Sequence, residues 1–244
     1  MRAYKFRVTA PFASFRMFYT TSAQPTLNFP PKSALNGLIA GMAGFKRDSY
    51  YTLFDRINYS VVPDGIPEKF IININLSDPG NNISGNPRDF GTRYQLPKEF
   101  MYEYGFTMYV FINDDFIKFS NDLLNYDAIN IIEANKKVYS PYLGSAFNIA
   151  NIDFHGAYDA ELLNPDGDIA VKSIVRLDKY KISLSEDRII VMDKNVTDNM
   201  ERENDARKSS NFYDVLCMFN GNDPETIVKE GTIINMDNMN LTLI

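Results

Sequence analysis

Pro30-Pro31-Lys32-Ser33-Ala34-Leu35-Asn36-Gly37-Leu38-Ile39-Ala40-Gly41-Met42-Ala43-Gly44 reads as a helix with a marked start, a defined stop and two unlike faces. Pro31 suits the first helical turn, where a missing N–H costs nothing, and Gly44 suits the residue just past the last turn. Leu35, Leu38, Ile39 and Met42 recur at helical spacing, so one side lies on a core. Ala34, Gly37, Gly41 and Gly44 line another side almost without side chains. A glycine inside a helix costs roughly 1 kcal/mol against alanine, so something should press close on that surface. Two partners satisfy this: a tightly packed sheet, or a large ligand such as a nucleic-acid backbone beside Lys32 and Ser33.

The chain on either side frames this helix with strands. Before it, Tyr4, Phe6, Val8 and Ala10 alternate with Lys5, Arg7 and Thr9, the pattern of a half-buried strand. After it, Ile57, Tyr59 and Val61 mark a second strand and Phe70, Ile72, Ile74 and Leu76 a third, with Pro63-Asp64-Gly65 as a turn that predicts a hairpin between them. Phe106, Met108, Val110 and Ile112 give a fourth strand. A helical stretch is predicted from Asp122 to Lys137, with Leu123, Leu124, Ile131 and Ile132 as its apolar positions. Pro141-Tyr142-Leu143-Gly144 breaks it, and Phe147 to Phe154 reads as another strand. This order predicts an α+β, ferredoxin-like domain with an embellished middle.

From Asp78 to Pro97 the periodicity dissolves into glycine, asparagine and proline. A stretch of that length inside a compact domain is disordered or a functional protrusion. It carries Arg88, Arg93, Tyr94 and, just beyond, Lys98, a mix suited to phosphate contact and base stacking. Beyond residue 155 further strands are predicted at Ile169–Val175, Tyr180–Leu184, Arg188–Met192 and Thr232–Met236, with a polar loop or short surface helix from Asp198 to Ser210. The expected division is a first domain over residues 1–155 and a mostly antiparallel β lobe over 156–244.

The composition is that of an ordinary soluble protein: 244 residues, 45% hydrophobic and 23% charged. The single Cys217 excludes a disulfide within the chain and a cysteine-based zinc site. No apolar run approaches the ~20 residues that span a bilayer, and the stretch Met1 to Lys5 shows no apolar signal segment. The expected location is cytoplasmic, without a membrane. The net charge of −6 is uneven, because residues 1–56 hold eight basic residues against Asp48 and Asp55, a local +6 that leaves −12 for the remainder. A basic first quarter on an acidic body can present a local phosphate-binding surface.

Catalytic signatures are sparse. There is no Walker-type phosphate loop, no dinucleotide fingerprint and no G-x-S-x-G elbow. The pairs Asp114/Asp115 and Asp166/Asp168 read as turn residues rather than metal ligands. His155, the only histidine, ends a strand, and nothing gathers tyrosine and lysine around it at a recognisable spacing. No catalytic residue, no metal site and no cofactor is expected.

Several pieces nevertheless converge on a known family. Pro11-Phe12-Ala13-Ser14-Phe15-Arg16 followed by Phe29 to Gly44 resembles the N-terminal signature of the Cas-five family, CRISPR-associated proteins of the RAMP superfamily. Tyr139-Ser140-Pro141-Tyr142-Leu143-Gly144-Ser145-Ala146-Phe147-Asn148-Ile149-Ala150 resembles the family's second block, and Thr92-Arg93-Tyr94 fits the region between them. The resemblance covers residues 1 to about 155. It implies a ferredoxin-like (RRM-related) core with a β-hairpin thumb, for which residues 78–104 are the candidate. It also implies a non-catalytic RNA-binding subunit of a type I interference complex (Cascade), most like type I-B members, that caps the 5′ handle of the CRISPR RNA. The implied partners are a Cas-seven-type backbone subunit and a large Cas-eight-type subunit, with target DNA met only through the complex. The RNA-binding residues implied are Arg16, Lys32, Ser33, Asn36, Gly37, Lys46, Arg47, Arg93 and Tyr94, with Tyr19 and Phe29 as further stacking candidates. Two alternatives remain open: a type I-C-like endoribonuclease that processes precursor RNA, and the related subunit of a type III complex. The nuclease branch carries an adjacent Lys-His pair that this sequence lacks.

Overall fold

The computed structural model describes residues 2–55, 57–77, 93–124, 126–164, 167–203 and 206–244. In chain order the first part runs β1 (Arg2–Ala13), α1 (Lys32–Ala43), α2 (Tyr51–Phe54), β2 (Asn58–Pro63), β3 (Lys69–Ser77), β4 (Arg93–Ile112), α3 (Asp114–Leu124), α4 (Ala128–Glu133) and β5 (Asn151–Asp159). One sheet, in the order β2-β4-β1-β5, is antiparallel throughout. With β4 taken as the third strand of a βαββαβ chain, this is the ferredoxin-like arrangement. The alternation in β1 sets its faces: Tyr4, Phe6, Val8 and Ala10 are buried against α1 and its neighbours.

Three sequence expectations change. β2 and β3 do not form a hairpin with each other. β4 is 20 residues long, and its first half pairs with β3 while its second half pairs with β2. Alternation reveals strands but not their partners, and one long strand serves both. The helix expected over Asp122–Lys137 is instead two, α3 and α4. The Asp127 carboxylate accepts the Ile129 N–H at 3.0 Å and that of Asn130 at 3.2 Å, so a new N-terminus starts there. The strand expected from Phe147 begins only at Asn151. The thumb candidate is described at its base, where β3 and β4 pair from Lys69 opposite Met101 to Ser77 opposite Arg93; residues 78–92, with Arg88, lie outside the described residues.

The remaining chain is β throughout: β6 (Glu161–Leu163), β7 (Ile169–Val171), β8 (Val175–Arg176), β9 (Lys181–Ser183), β10 (Ile189–Glu203), β11 (Ala206–Asn220), β12 (Asp223–Pro224), β13 (Thr226–Glu230), β14 (Ile233–Met236) and β15 (Met239–Leu241). Asp198 to Ser210 is no loop or helix. It forms the outer half of the β10–β11 hairpin, paired from Asn199 opposite Ser210 to Glu203 opposite Ala206. Its polar composition hid it, because backbone pairing asks nothing of the side chains, and those of Asp198, Asn199, Met200, Ser209 and Ser210 are only half-buried. The two lobes share a core: Val196, Tyr213, Val215, Cys217 and Phe219 join the cluster that contains β1 and α1. On the opposite face of the main sheet, Ala3, Tyr109 and Phe111 pack against Ile234, Met236 and Leu241. The sheet is therefore covered on both sides.

Candidate nucleic-acid interface

α1 starts one residue later than the sequence predicts. Pro31 is its N-cap in an extended conformation, with its carbonyl accepting the N–H groups of Ala34 and Leu35. Gly44 caps the other end with a left-handed φ of 90°, as its position predicts. The last turn is closed by the second sequence block, since Tyr139 N–H donates to the Gly41 carbonyl and Val138 N–H to that of Met42, both at 3.2 Å. From there the chain turns through Leu143, whose carbonyl accepts the Ser14 N–H at the end of β1. Gly144 follows in a left-handed conformation (φ 84°), against the Ser14 carbonyl, where a Cβ would collide. Two blocks separated by about a hundred residues thus become neighbours through backbone hydrogen bonds.

Between them lies a cleft of about 740 Å³. Its floor is the small-residue face of α1, namely Ser33, Ala34, Gly37 and Gly41. A Cβ on Gly41 would meet nothing within 4 Å, and one on Gly37 only the Tyr50 hydroxyl at 3.2 Å. The choice left open by the sequence is thereby decided for these two positions: no sheet packs on them, and they face the open cleft. Tyr50, Tyr51, Tyr139 and Tyr142 form aromatic walls, and Met200 reaches in from β10. Tyr139 and Tyr142 are half exposed, at 51% and 50%, so their ring faces are available. Among the described residues, Arg16 and Arg47 are the charged ones in the lining, and no carboxylate joins them. Arg16 donates to the Thr20 carbonyl at 2.6 Å, and Arg47 pairs at 3.6 Å with Asp48.

The sequence-predicted residues separate into three groups. Arg16, Ser33, Gly37 and Arg47 line the cleft together, and Lys46 is exposed on the turn just after α1. Lys32 and Asn36 turn inward, which corrects their expected place on the outer surface. Lys32 is 5% exposed, 3.9 Å from Asp198 on β10, and its ammonium is held below the usual lysine value by burial, with Asp198 acting the other way. Asn36 accepts the Tyr59 hydroxyl at 2.7 Å in the core. Tyr94 is exposed on β4 opposite Leu76, outside the cleft lining, and the backbone of Arg93 pairs with Ser77. Phe29 is core and Tyr19 is exposed.

The residues that reading the sequence missed are the tyrosine walls. Tyr139 and Tyr142 stood in the second block without a role, and Tyr50-Tyr51 gave no signal beyond being an aromatic pair. His155 is exposed on β5 where the pairing with β1 slips by a bulge between Lys5 and Phe6, and it does not line the cleft. Among the described residues no three His, Cys, Asp or Glu side chains gather as metal ligands. Nor, among them, is any helix long and apolar enough to cross a membrane.

Residues 3–106 match the family of CRISPR-associated proteins described as Cas_Cas5. Over that stretch the chain is similar to Cas5 proteins. The matched segment spans β1, α1 and the first half of β4, and so includes the cleft floor and Arg16 and Arg47. Two solved structures share the fold of this chain. A CRISPR protein from Archaeoglobus fulgidus is 11% identical, with 99% of this chain and 98% of that one covered and a TM-score of 0.52. A chain of a CRISPR RNA-guided surveillance complex is 13% identical, with 91% of each chain covered and a TM-score of 0.50. No curated protein matches the sequence.

Proposed function

We propose that this chain is a Cas5-type, non-catalytic RNA-binding subunit of a CRISPR surveillance complex, and that its cleft holds the 5′ handle of the CRISPR RNA. The observation that carries this reading is the cleft itself: a side-chain-poor helical floor, four tyrosines and two arginines with no acid among them. Single-stranded RNA is recognised through unstacked bases on aromatic rings and through cationic contacts to its backbone, and this lining offers both. A floor so poor in side-chain atoms lets a sugar-phosphate backbone approach the helix. The solved surveillance-complex chain with the same fold supports the assembly context. In such an assembly the Cas-seven-type and Cas-eight-type subunits would be its neighbours, and guide pairing rather than this chain would read the DNA.

The reading predicts that the pure protein binds the 5′ segment of its own CRISPR repeat and returns precursor repeat RNA uncut. Arg47→Glu weakens binding and flattens its salt dependence, since each lost phosphate contact lowers the slope by about 0.7 for single strands. Gly41→Leu fills the floor and weakens binding with no loss of thermal stability, because leucine is the better helix former. Unchanged affinity in both variants overturns the cleft as the RNA site. Specific, metal-independent cleavage that His155→Ala abolishes establishes the nuclease reading instead.

A further inference from the structure

Beside the cleft, Arg16 of its lining and Lys98 are two neighbouring cations that, among the described residues, have no acid paired with them. Lys98 extends from β4, and its ammonium donates to Ser145 Oγ. Its Nζ lies 5.3 Å from the centre of the Phe100 ring and 5.2 Å from that of Phe147, and the residue is only 7% exposed. Arg16 is exposed and donates to the Thr20 carbonyl. Arg16 forms an isolated bridge with Thr26, and Gln24, two residues earlier, forms one with Lys98, so a single short segment ties together the backbones that carry the two cations, and the Arg16 charge is felt at Lys98. The turn Leu143 to Ser145, which holds Lys98 through the Ser145 hydroxyl, is bound to Ser14 through the Leu143 carbonyl. Among the described residues, every ion pair involves other cations, and neither Arg16 nor Lys98 has a carboxylate within reach.

An ammonium shut away from water without a counter-ion is costly, and here burial first and Arg16 second hold Lys98 below the usual lysine value. Such a cost is offset when an anion arrives. We propose that Arg16, Lys98 and Ser145 form a phosphate subsite that takes a backbone phosphate of the RNA as the strand leaves the cleft. This rests on the RNA reading of the cleft.

The chemistry is specific. The ammonium keeps two N–H donors after Ser145 takes one, the guanidinium offers a planar fork, and the Ser145 hydroxyl, having accepted from Lys98, can donate its own proton. Three donors of different geometry, carried by three segments, suit a tetrahedral oxyanion. Arg16, Tyr142 and Gly144 also line the cleft, so the subsite continues it. Phe147, 63% exposed beside Lys98, gives the next base a ring to stack on.

The test measures binding of the repeat-derived RNA to wild type, Lys98→Met, Lys98→Arg and Arg16→Gln. Lys98→Met keeps the aliphatic stem between the rings, and Arg16→Gln alters an exposed side chain, so at least one variant stays folded. Loss of one charged contact should weaken binding about tenfold and lower the salt slope by about 0.7, with recovery in Lys98→Arg. A scan of RNAs each carrying one neutral methylphosphonate linkage should reveal one position at which wild type and Lys98→Met bind equally. If both cation variants bind like wild type while Gly41→Leu does not, the subsite is wrong and the cleft reading stands. If wild type binds no RNA, the cleft reading fails, and inorganic phosphate decides the rest. A rise in melting temperature in wild type that is absent in Lys98→Met keeps the anion site, and equal or absent shifts overturn it.

Discussion

Asp193 shows how single residues of the C-terminal lobe fix the cleft. Its carboxylate accepts the Asn28 N–H at 2.8 Å, the Phe29 N–H at 2.9 Å and the Asn28 side-chain amide at 2.7 Å, which holds the segment entering α1. Burial raises its pKa above the usual 3.8, against the pull of these hydrogen bonds. The folded protein therefore holds this proton more tightly than the unfolded chain. Its contribution to stability is full below pH 3.8 and is lost as pH rises through the raised native value. Asp193→Asn presents an NH₂ to donors and should cost roughly 1–3 kcal/mol. It should also remove that pH-dependent component, as urea titrations across the acid range would show; an unchanged midpoint and an unchanged pH profile would refute this anchoring role. Lys32 is the residue-scale lesson in reading sequence. Charge alone placed it outside, yet it stands three residues before Leu35 and seven before Ile39, on the buried stripe of α1. Its partners, Asp198 and beyond it Arg176 at 3.0 Å from that carboxylate, lie far along the chain, where no local pattern could reveal them.

Among the elements, the turn after Pro141 and helix α1 make opposite use of glycine. Gly144 is left-handed and pressed on the Ser14 carbonyl, whereas Gly41 is helical and faces open space. Gly144→Ala should therefore cost roughly 1–3 kcal/mol through strain and collision, while Gly41→Ala should stabilise by about 0.5–1 kcal/mol. Denaturant unfolding of the two variants checks both signs, and equal effects would mean that the cleft geometry is wrong. The floor of the cleft was legible because glycine at helical spacing has a known cost that demands an explanation. The strands of the main sheet were legible because one face of each is buried and alternation follows. Pairing was not: β2 and β3 are adjacent in sequence but share β4 as their partner. The β10–β11 hairpin was missed where its side chains turn polar, and it supplies Met200 to the cleft and Tyr213, whose hydroxyl accepts the Lys32 N–H at 3.3 Å.

For the molecule as a whole, the question is whether the two lobes fold as one unit. The sequence supports a division near residue 155, since the family resemblance and the basic charge both lie before it. The core crosses that line: Cys217 and Phe219 of β11 are fully buried in the same cluster as Phe6, Leu35 and Ile39. A shared apolar core couples the stability of the parts that build it. The chain carries its own reporters for a test. Among the described residues all four helices lie between Lys32 and Glu133, so the helical circular-dichroism signal reports the first lobe. Cys217, the only cysteine, lies in the second. Burial pushes its thiol up to about 12, with the Thr226 hydroxyl pulling the other way. Thiolate, the reactive form, is therefore scarce at neutral pH in the folded state. Labelling of Cys217 along a urea gradient should begin at the midpoint at which the helical signal is lost, in one cooperative transition. Labelling at clearly lower urea, with the helices intact, would divide the molecule into two independent domains and detach the β10–β11 hairpin from the role of holding the start of α1.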